Sequence, residues 1–500
     1  MTGIDYLALL KLAAPETIVV LTALAVLVVD LLLMREEPTR NRFIIAGAFG
    51  CFGCALAIAW ISSIPAQDNL LNGMLVVDPL TRLVKVVLVA LTIFTVLVSI
   101  ESNFTDHIGE YLALVLLATV GMMFMVSSEN ILMIFVSLEL VSLSLYILTA
   151  FNKHNIKSAE AALKYFLFGG MSAAFTLFGL SLIYGLSGAL NLKQIAAALQ
   201  GQGLDPLLVV AIVMTVIGFG FKVAAVPFHL WAPDAYQGAP TPSAAFIASG
   251  SKVASFFIFA KVMMLGFAGV EGSGAWRDYI PGWVPVIALV AAASMLLGNL
   301  AAIAQTSVKR LLAYSAIAHA GYMLLGVLAH DQHGVASLIY YAATYGLTTI
   351  GAFAVVSAVE VEGEDDRISG FGGLCRREPL LSFCMMVFML SLAGIPPLAG
   401  FFGKFYLFTA AVGAGPKSLG LLWLVVFAIA MSAVSLYYYL QVLKQIYVVN
   451  APADGPVSRS RVITKVAILL LALGVVVMGC APDLLLGKLL LAVKATGVSI

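Results

Sequence analysis

Long apolar runs recur along the whole chain, separated by short polar connections. Crossing a bilayer takes about 20 apolar residues. Runs of that order lie at 15–34, 43–64, 77–100, 110–127, 129–151, 161–186, 206–228, 240–268, 283–302, 309–330, 334–359, 379–410, 420–444 and 462–482. They predict fourteen transmembrane helices. A membrane β-barrel would alternate polarity in segments of about 10 residues, whereas the stretch from Leu112 to Val126 is continuously apolar. The fold class expected is therefore an all-α polytopic membrane protein.

Composition agrees. Of 500 residues, 62% are hydrophobic and 11% charged, against about 25% charged in a soluble domain. Net charge is +1 with no long basic cluster, so nucleic acid is excluded as a partner and the lipid bilayer is the expected surrounding. The N-terminal MTGIDYLALLKLAAPET lacks a basic segment followed by a small-residue cleavage site, and the first helix is expected to stay. Cys51-x-x-Cys54 lies inside an apolar run without a second pair, so no metal site is expected there.

Fourteen Lys and Arg, from Arg35, Arg40 and Arg42 to Arg459, Arg461 and Lys465, fall in one alternate set of connections. The other set and the termini hold six: Lys11, Lys193, Arg277, Lys417, Lys488 and Lys494. The positive-inside rule then puts both termini outside. The remaining seven, Arg82, Lys85, Lys164, Lys222, Lys252, Lys261 and Lys404, lie within or at the ends of spans.

An ionisable group near the bilayer centre costs at least about 2.5–3.5 kcal/mol on insertion scales, and such groups usually face a bundle interior or a wet path. Glu139 sits mid-way along the fifth span, with Ser142 and Tyr146 following on its face. Lys222 lies deep in the seventh span, with Pro227 close behind to break the helix. Pro396 and Pro397 interrupt the twelfth span before Lys404. Broken helices at membrane depth line cavities or are buried in protein, and interruptions in matching positions of two halves point to an ion site. Lys252 is similarly deep in the eighth span. Lys261, about 13 Å further along the axis, reaches an interface more readily. Lys164, near the start of the sixth span, fits an interfacial role as well as a coupling one. His229 and His319 suit proton relay, since imidazole titrates near 6.5, or a neutral hydrogen-bonded structural role. Asp30 reads as a bond to a neighbouring helix. No G-x-x-x-x-G-K-[ST], G-x-G-x-x-G or H-E-x-x-H occurs, so the chemistry expected is ion handling, most simply of protons.

The texts SLELVSLSLYIL around Glu139, SAEAALKYFLFGGMSAA around Lys164, GFGFKVAAVPFHLWAPDAYQGAPTPSAAFIASGSKVA around Lys222 and Lys252, and QTSVKRLLAYSAIAHAGYMLLG around His319 resemble the proton-pumping antiporter-like subunits of respiratory complex I. The resemblance implies two inverted five-helix units with broken seventh and twelfth helices. It divides the chain into residues 1–104, an N-terminal three-helix segment; 105–270 and 271–448, the two units; and 449–500, a C-terminal helix. It assigns proton translocation to Glu139, Lys222, Lys252 and Lys404, with Glu139 and Lys222 as an ion pair and Lys252 as the connecting lysine. His229, Lys164 and His319 are secondary candidates. It also implies no cofactor in this chain, with NADH, FMN, iron–sulfur clusters and quinone in partner subunits, and neighbouring membrane-arm subunits as partners in a bacterial cytoplasmic (inner) membrane. A Mrp-type cation/proton antiporter and a membrane-bound hydrogenase use related subunits. A spacer whose buried charges only fix helix register is the non-transport alternative.

Overall fold

The computed structural model describes residues 6–64, 68–102, 104–200, 203–360, 366–413, 420–450 and 462–496. Lys417, Arg459, Arg461 and part of the connection after Glu360 lie outside the described residues. Helices dominate: α1 Ala14–Leu33, α2 Thr39–Ser63, α3 Pro79–Ser99, α4 Ile108–Val126, α5 Ile131–Thr149 and α6 Ile156–Ser187. Next come α7 Pro206–Lys222, α8 Trp231–Gly238, α9 Thr241–Gly266, α10 Trp283–Ile303, α11 Val308–Leu328 and α12 Gln332–Glu360. The series ends with α13 Pro379–Ala393, α14 Ala399–Gly413, α15 Leu422–Tyr447, α16 Val462–Cys480 and α17 Asp483–Ala495.

Twelve of these are long and apolar enough to span a membrane. Two further crossings are each built from a broken pair, α7 with α8 and α13 with α14. Fourteen crossings return the chain to the side on which it began. Contacts at that side agree: Trp60 Nε1 donates to Lys11 O at 3.3 Å, and Thr496 lines a cavity with Asp78. A short hairpin there pairs Asp68–Leu70 with Leu75–Val77.

Helix starts are set by local chemistry. Asp78, Asn130, Asn155, Asp205 and Ser307 each accept a backbone N–H of the first turn of α3, α5, α6, α7 and α11, which satisfies donors that no helix can pair internally. Pro79 and Pro206 stand at first-turn positions where no N–H is needed. Asp30, wholly buried, binds Arg42 through both carboxylate oxygens at 2.8 and 2.7 Å and accepts Gly109 N–H at 2.9 Å. It ties α1 to α2 and α4, the structural role its sequence context suggested.

The bundle is layered. α9, α11 and α12 are enclosed almost completely, while α1, α6 and α15 turn most of their surface outward as Leu, Phe, Val and Ile. The enclosed helices carry many of the buried polar residues, including Ser249, Lys252, Ser315, His319, Thr344 and Thr348.

Candidate functional site

At each broken crossing, backbone groups freed by the interruption find partners within the protein, as membrane depth requires. In the first break, at 223–230, Trp231 Nε1 donates to Phe221 O at 3.0 Å and Val226 N–H donates to Ser294 Oγ at 2.9 Å. In the second, Gly394 turns the chain at φ +86°, a conformation suited to glycine. A Cβ added there would press on the Lys404 side chain. Both breaks contain a cis proline bond, Val226–Pro227 and Pro396–Pro397.

The lysines occupy the broken ends. Lys222 is the last residue of α7. The Lys404 ammonium, on α14, donates to Leu392 O at 3.0 Å, Ala393 O at 3.1 Å and Ser432 Oγ at 2.9 Å. It thus caps the free carbonyls at the end of α13, where the helix dipole favours a cation. Lys252 donates to Ala316 O on α11 at 2.7 Å. It stands three residues past Ser249, where α9 is irregular at φ −117°, ψ −82°.

Glu139 and Lys222 face one another across α5 and α7, but among the described residues they form no direct ion pair. Lys222 Nζ instead donates to Ser142 Oγ at 2.5 Å and lies 6.0 Å from the Tyr146 ring centre. Glu139 is half-buried, and its Oε1 has no hydrogen-bond partner. Tyr165 stacks on Trp231 at 4.3 Å and both approach Phe221, closing an aromatic wall around this pair.

A second group gathers residues of α9, α11, α12, α14 and α15. His319 is buried on α11 with Nδ1 2.6 Å from Tyr341 Oη and Nε2 3.0 Å from Tyr439 Oη. Tyr439 Oη also bonds Ser315 Oγ. Lys252 lies over the Tyr345 ring at 5.8 Å, and that ring is 5.0 Å from His319. On the other side Lys404 lies over Tyr322 at 5.1 Å, and Tyr322 is 5.6 Å from His319. The imidazole is thus linked to Lys252 and to Lys404 through one ring each. Among the described residues, Lys222 and Lys252 share neither a hydrogen-bond partner nor a ring.

The secondary candidates lie elsewhere. Lys164 is part-exposed on α6 and pairs with Glu160 at 2.7 Å and with Asp234 at 2.9 Å, while Arg310 holds Asp234 from α11 at 2.7 Å. His229 is half-buried in the first break, and its Nδ1 has no hydrogen-bond partner among the described residues. The expectation that Lys261 reaches an interface is corrected: its side chain is only 9% exposed and turns toward Glu129. Tyr322, Tyr341, Tyr345 and Tyr439 escaped the sequence reading, because tyrosines in membrane helices are commonplace and only packing brings these around one imidazole.

Residues 128–432, which include all seven candidates drawn from the sequence, match the family described as NADH:quinone oxidoreductase/Mrp antiporter, transmembrane. The chain belongs to this family. A member from Acidobacterium capsulatum, NADH-quinone oxidoreductase subunit N 2, is 53% identical over 97% of this chain and 99% of its own length. A subunit in the structure of respiratory complex I from Thermus thermophilus with bound aureothin is 33% identical, with a TM-score of 0.77, over 95% of this chain and 99% of that one. A chain of the Mrp complex from a Dietzia species gives a TM-score of 0.81 over 98% of both chains at 21% identity, which establishes a shared fold. Antiporter-like membrane architecture with broken helices is thus the family's fold, and the paired breaks at Pro227 and at Pro396 with Pro397 belong to it.

Proposed function

We propose that this chain is subunit N of a proton-translocating NADH-quinone oxidoreductase, and that it moves protons through Glu139, Lys222, Lys252 and Lys404 while partner subunits oxidise NADH and reduce quinone. NADH, FMN, the iron–sulfur clusters and quinone then belong to the partners, and this chain is a non-redox translocating part. The chain sits in a bacterial cytoplasmic membrane with both termini outside, as the basic connections favour. Residues 105–270 and 271–448 act as its two antiporter-like units.

The observation that carries this reading is the Lys252–Tyr345–His319–Tyr322–Lys404 series, which sets two buried ammonium groups about one imidazole between the two halves. Deep charges are costly in a bilayer and are kept where they line a path. Lys222 receives its bias from Glu139. At an effective dielectric of about 20, a unit pair at about 4 Å interacts by about 4 kcal/mol, and at about 8 Å by half of that. A movement of α5 against α7 by about 4 Å thereby biases whether Lys222 holds its proton. Water completes the gap between Lys222 and Lys252.

The test is NADH-driven acidification of inverted membrane vesicles carrying the assembled complex, with NADH oxidation followed in the same sample. Lys222→Ala is expected to lower protons moved per NADH with assembly intact. Wild-type stoichiometry in that variant would make Lys222 structural and support the spacer reading.

A further inference from the structure

The Lys222 pair and the His319 group leave unused a buried ammonium and a buried carboxylate on the side that carries both termini. Lys261 lies on α9, nine residues and about 13 Å beyond Lys252 and about half a turn round the helix from it. Among the described residues its Nζ has no hydrogen-bond partner, and it stands 3.8 Å from Glu129 Oε1. Glu129 is 5% exposed, and its Oε2 also lacks a hydrogen-bond partner among the described residues, with Lys193 Nζ 3.4 Å away. Both open into a cavity of about 340 Å³ whose other walls include Asp78, Phe257 and Ala260.

Glu129 is held firmly in this position. Its N–H donates to Gly73 O at 2.7 Å, and its carbonyl accepts Leu192 N–H at 2.9 Å, so three connections on the terminal side are knitted around it. An ammonium with three donors and a carboxylate with unmet lone pairs are expensive to bury dry. The cavity is polar at this end and roomy enough for several waters, which is the condition under which buried water is retained. Lys193, an exposed side chain, also lines it.

We infer that Glu129 and Lys261 form a hydrated proton-exchange site through which this chain meets the aqueous phase on the side of its termini. The Lys261 ammonium gives a proton to a cavity water, its N–H bond breaking as an O–H bond forms. Glu129 accepts that proton or lets it pass, and it leaves as a hydrated proton beside Lys193. The groups acting on Lys261 are Asp78 at the start of α3, Glu129, Lys193 and Lys85, the last paired to buried Glu16 at 2.6 Å. This assignment rests on the translocation reading and adds to it a site on the opposite face of α9 from Lys252.

The test uses the assembled complex in inverted vesicles, with Lys222→Ala as the reference. Arginine keeps the positive charge and the pairing to Glu129 but does not release its proton in a protein. Lys261→Arg and Glu129→Gln are therefore expected to lower protons per NADH to the level of Lys222→Ala. A structural pair would be rescued by arginine. If Lys261→Arg pumps at the wild-type ratio while Lys222→Ala is depressed, this inference fails and the translocation reading stands. If Lys222→Ala also pumps normally, the translocation reading fails and takes the inference with it. Ala260→Cys provides a second readout that needs no charge change. In right-side-out vesicles, a membrane-impermeant maleimide added on the terminal side should label it above the wild-type background, and full protection would overturn the hydrated cavity.

Discussion

Ser142 Oγ holds the Lys222 ammonium at 2.5 Å, one helical turn along α5 from Glu139. The same hydroxyl donates to Leu138 O at 2.5 Å, so its lone pairs are turned toward the lysine. Glu139 therefore acts on Lys222 through space while Ser142 fixes where the ammonium sits.

Ser142→Ala removes an acceptor from a charged donor, an interaction of about 1.5–3 kcal/mol. The expected outcome is an assembled complex that moves fewer protons per NADH, with recovery in Ser142→Thr. Vesicle acidification normalised to oxidation checks this, and an unchanged ratio in Ser142→Ala would show that Glu139 alone sets the state of Lys222.

Asp30 makes the opposite prediction. Asp30→Ala strands Arg42 and the Gly109 N–H, and breaking a buried charge pair costs about 3–5 kcal/mol. The yield of assembled complex should fall, while each complex that does assemble pumps at the wild-type ratio. Quantifying complex in membranes alongside pumping separates the two effects.

Much of this was legible in the sequence because lipid imposes a simple rule. Apolar length gives the crossings, and a charge or proline inside one is conspicuous, so Glu139, Lys222, Lys252, Lys404 and both breaks stand out. Partnerships were not legible. That Lys222 takes Ser142 as its direct partner, or that Lys404 caps α13, depends on side-chain directions at distances below 4 Å, which hydropathy does not encode. Lys261 shows the same limit: its place near a helix end suggested escape to the interface, but the loop holding Glu129 folds over it. The tyrosines around His319 come from α11, α12 and α15, and no spacing within one helix announces them.

His319 depends on two phenols, Tyr341 and Tyr439. Tyr439→Phe keeps the packing but removes the bonds to His319 and Ser315, at a cost of about 1–3 kcal/mol for the groups left unpaired. Pumping per NADH should fall in this variant and in His319→Phe alike. Normal pumping in both would reduce the imidazole to a packing element between the two lysines.

Glu271 supplies a pH dependence outside the membrane. Burial by itself would raise its carboxyl, but bonds from His330 and from Gly269 N–H, the latter at 2.6 Å, outweigh that and hold it below the ordinary 4.5. A carboxylate depressed on folding contributes stability above its unfolded value and loses it as the pH falls through the lower folded one. Glu271→Gln should thus loosen the 267–282 connection by about 0.5–1 kcal/mol at neutral pH. The difference from wild type should shrink as the pH drops below 4.5 and vanish beneath the folded value. Hydrogen exchange at the Trp283 and Val284 amides, which bond Val270 O and Glu271 O, reads it directly.

Lys252 decides the central claim, because it alone of the four proposed residues approaches the His319 group from the first proposed unit, residues 105–270. The measurement is protons translocated per NADH oxidised in inverted vesicles for Lys252→Ala, with assembled complex quantified in the same membranes. A relay through the buried lysines predicts assembly near wild type and a clear loss of protons per NADH. Wild-type stoichiometry from fully assembled Lys252→Ala complex would contradict it.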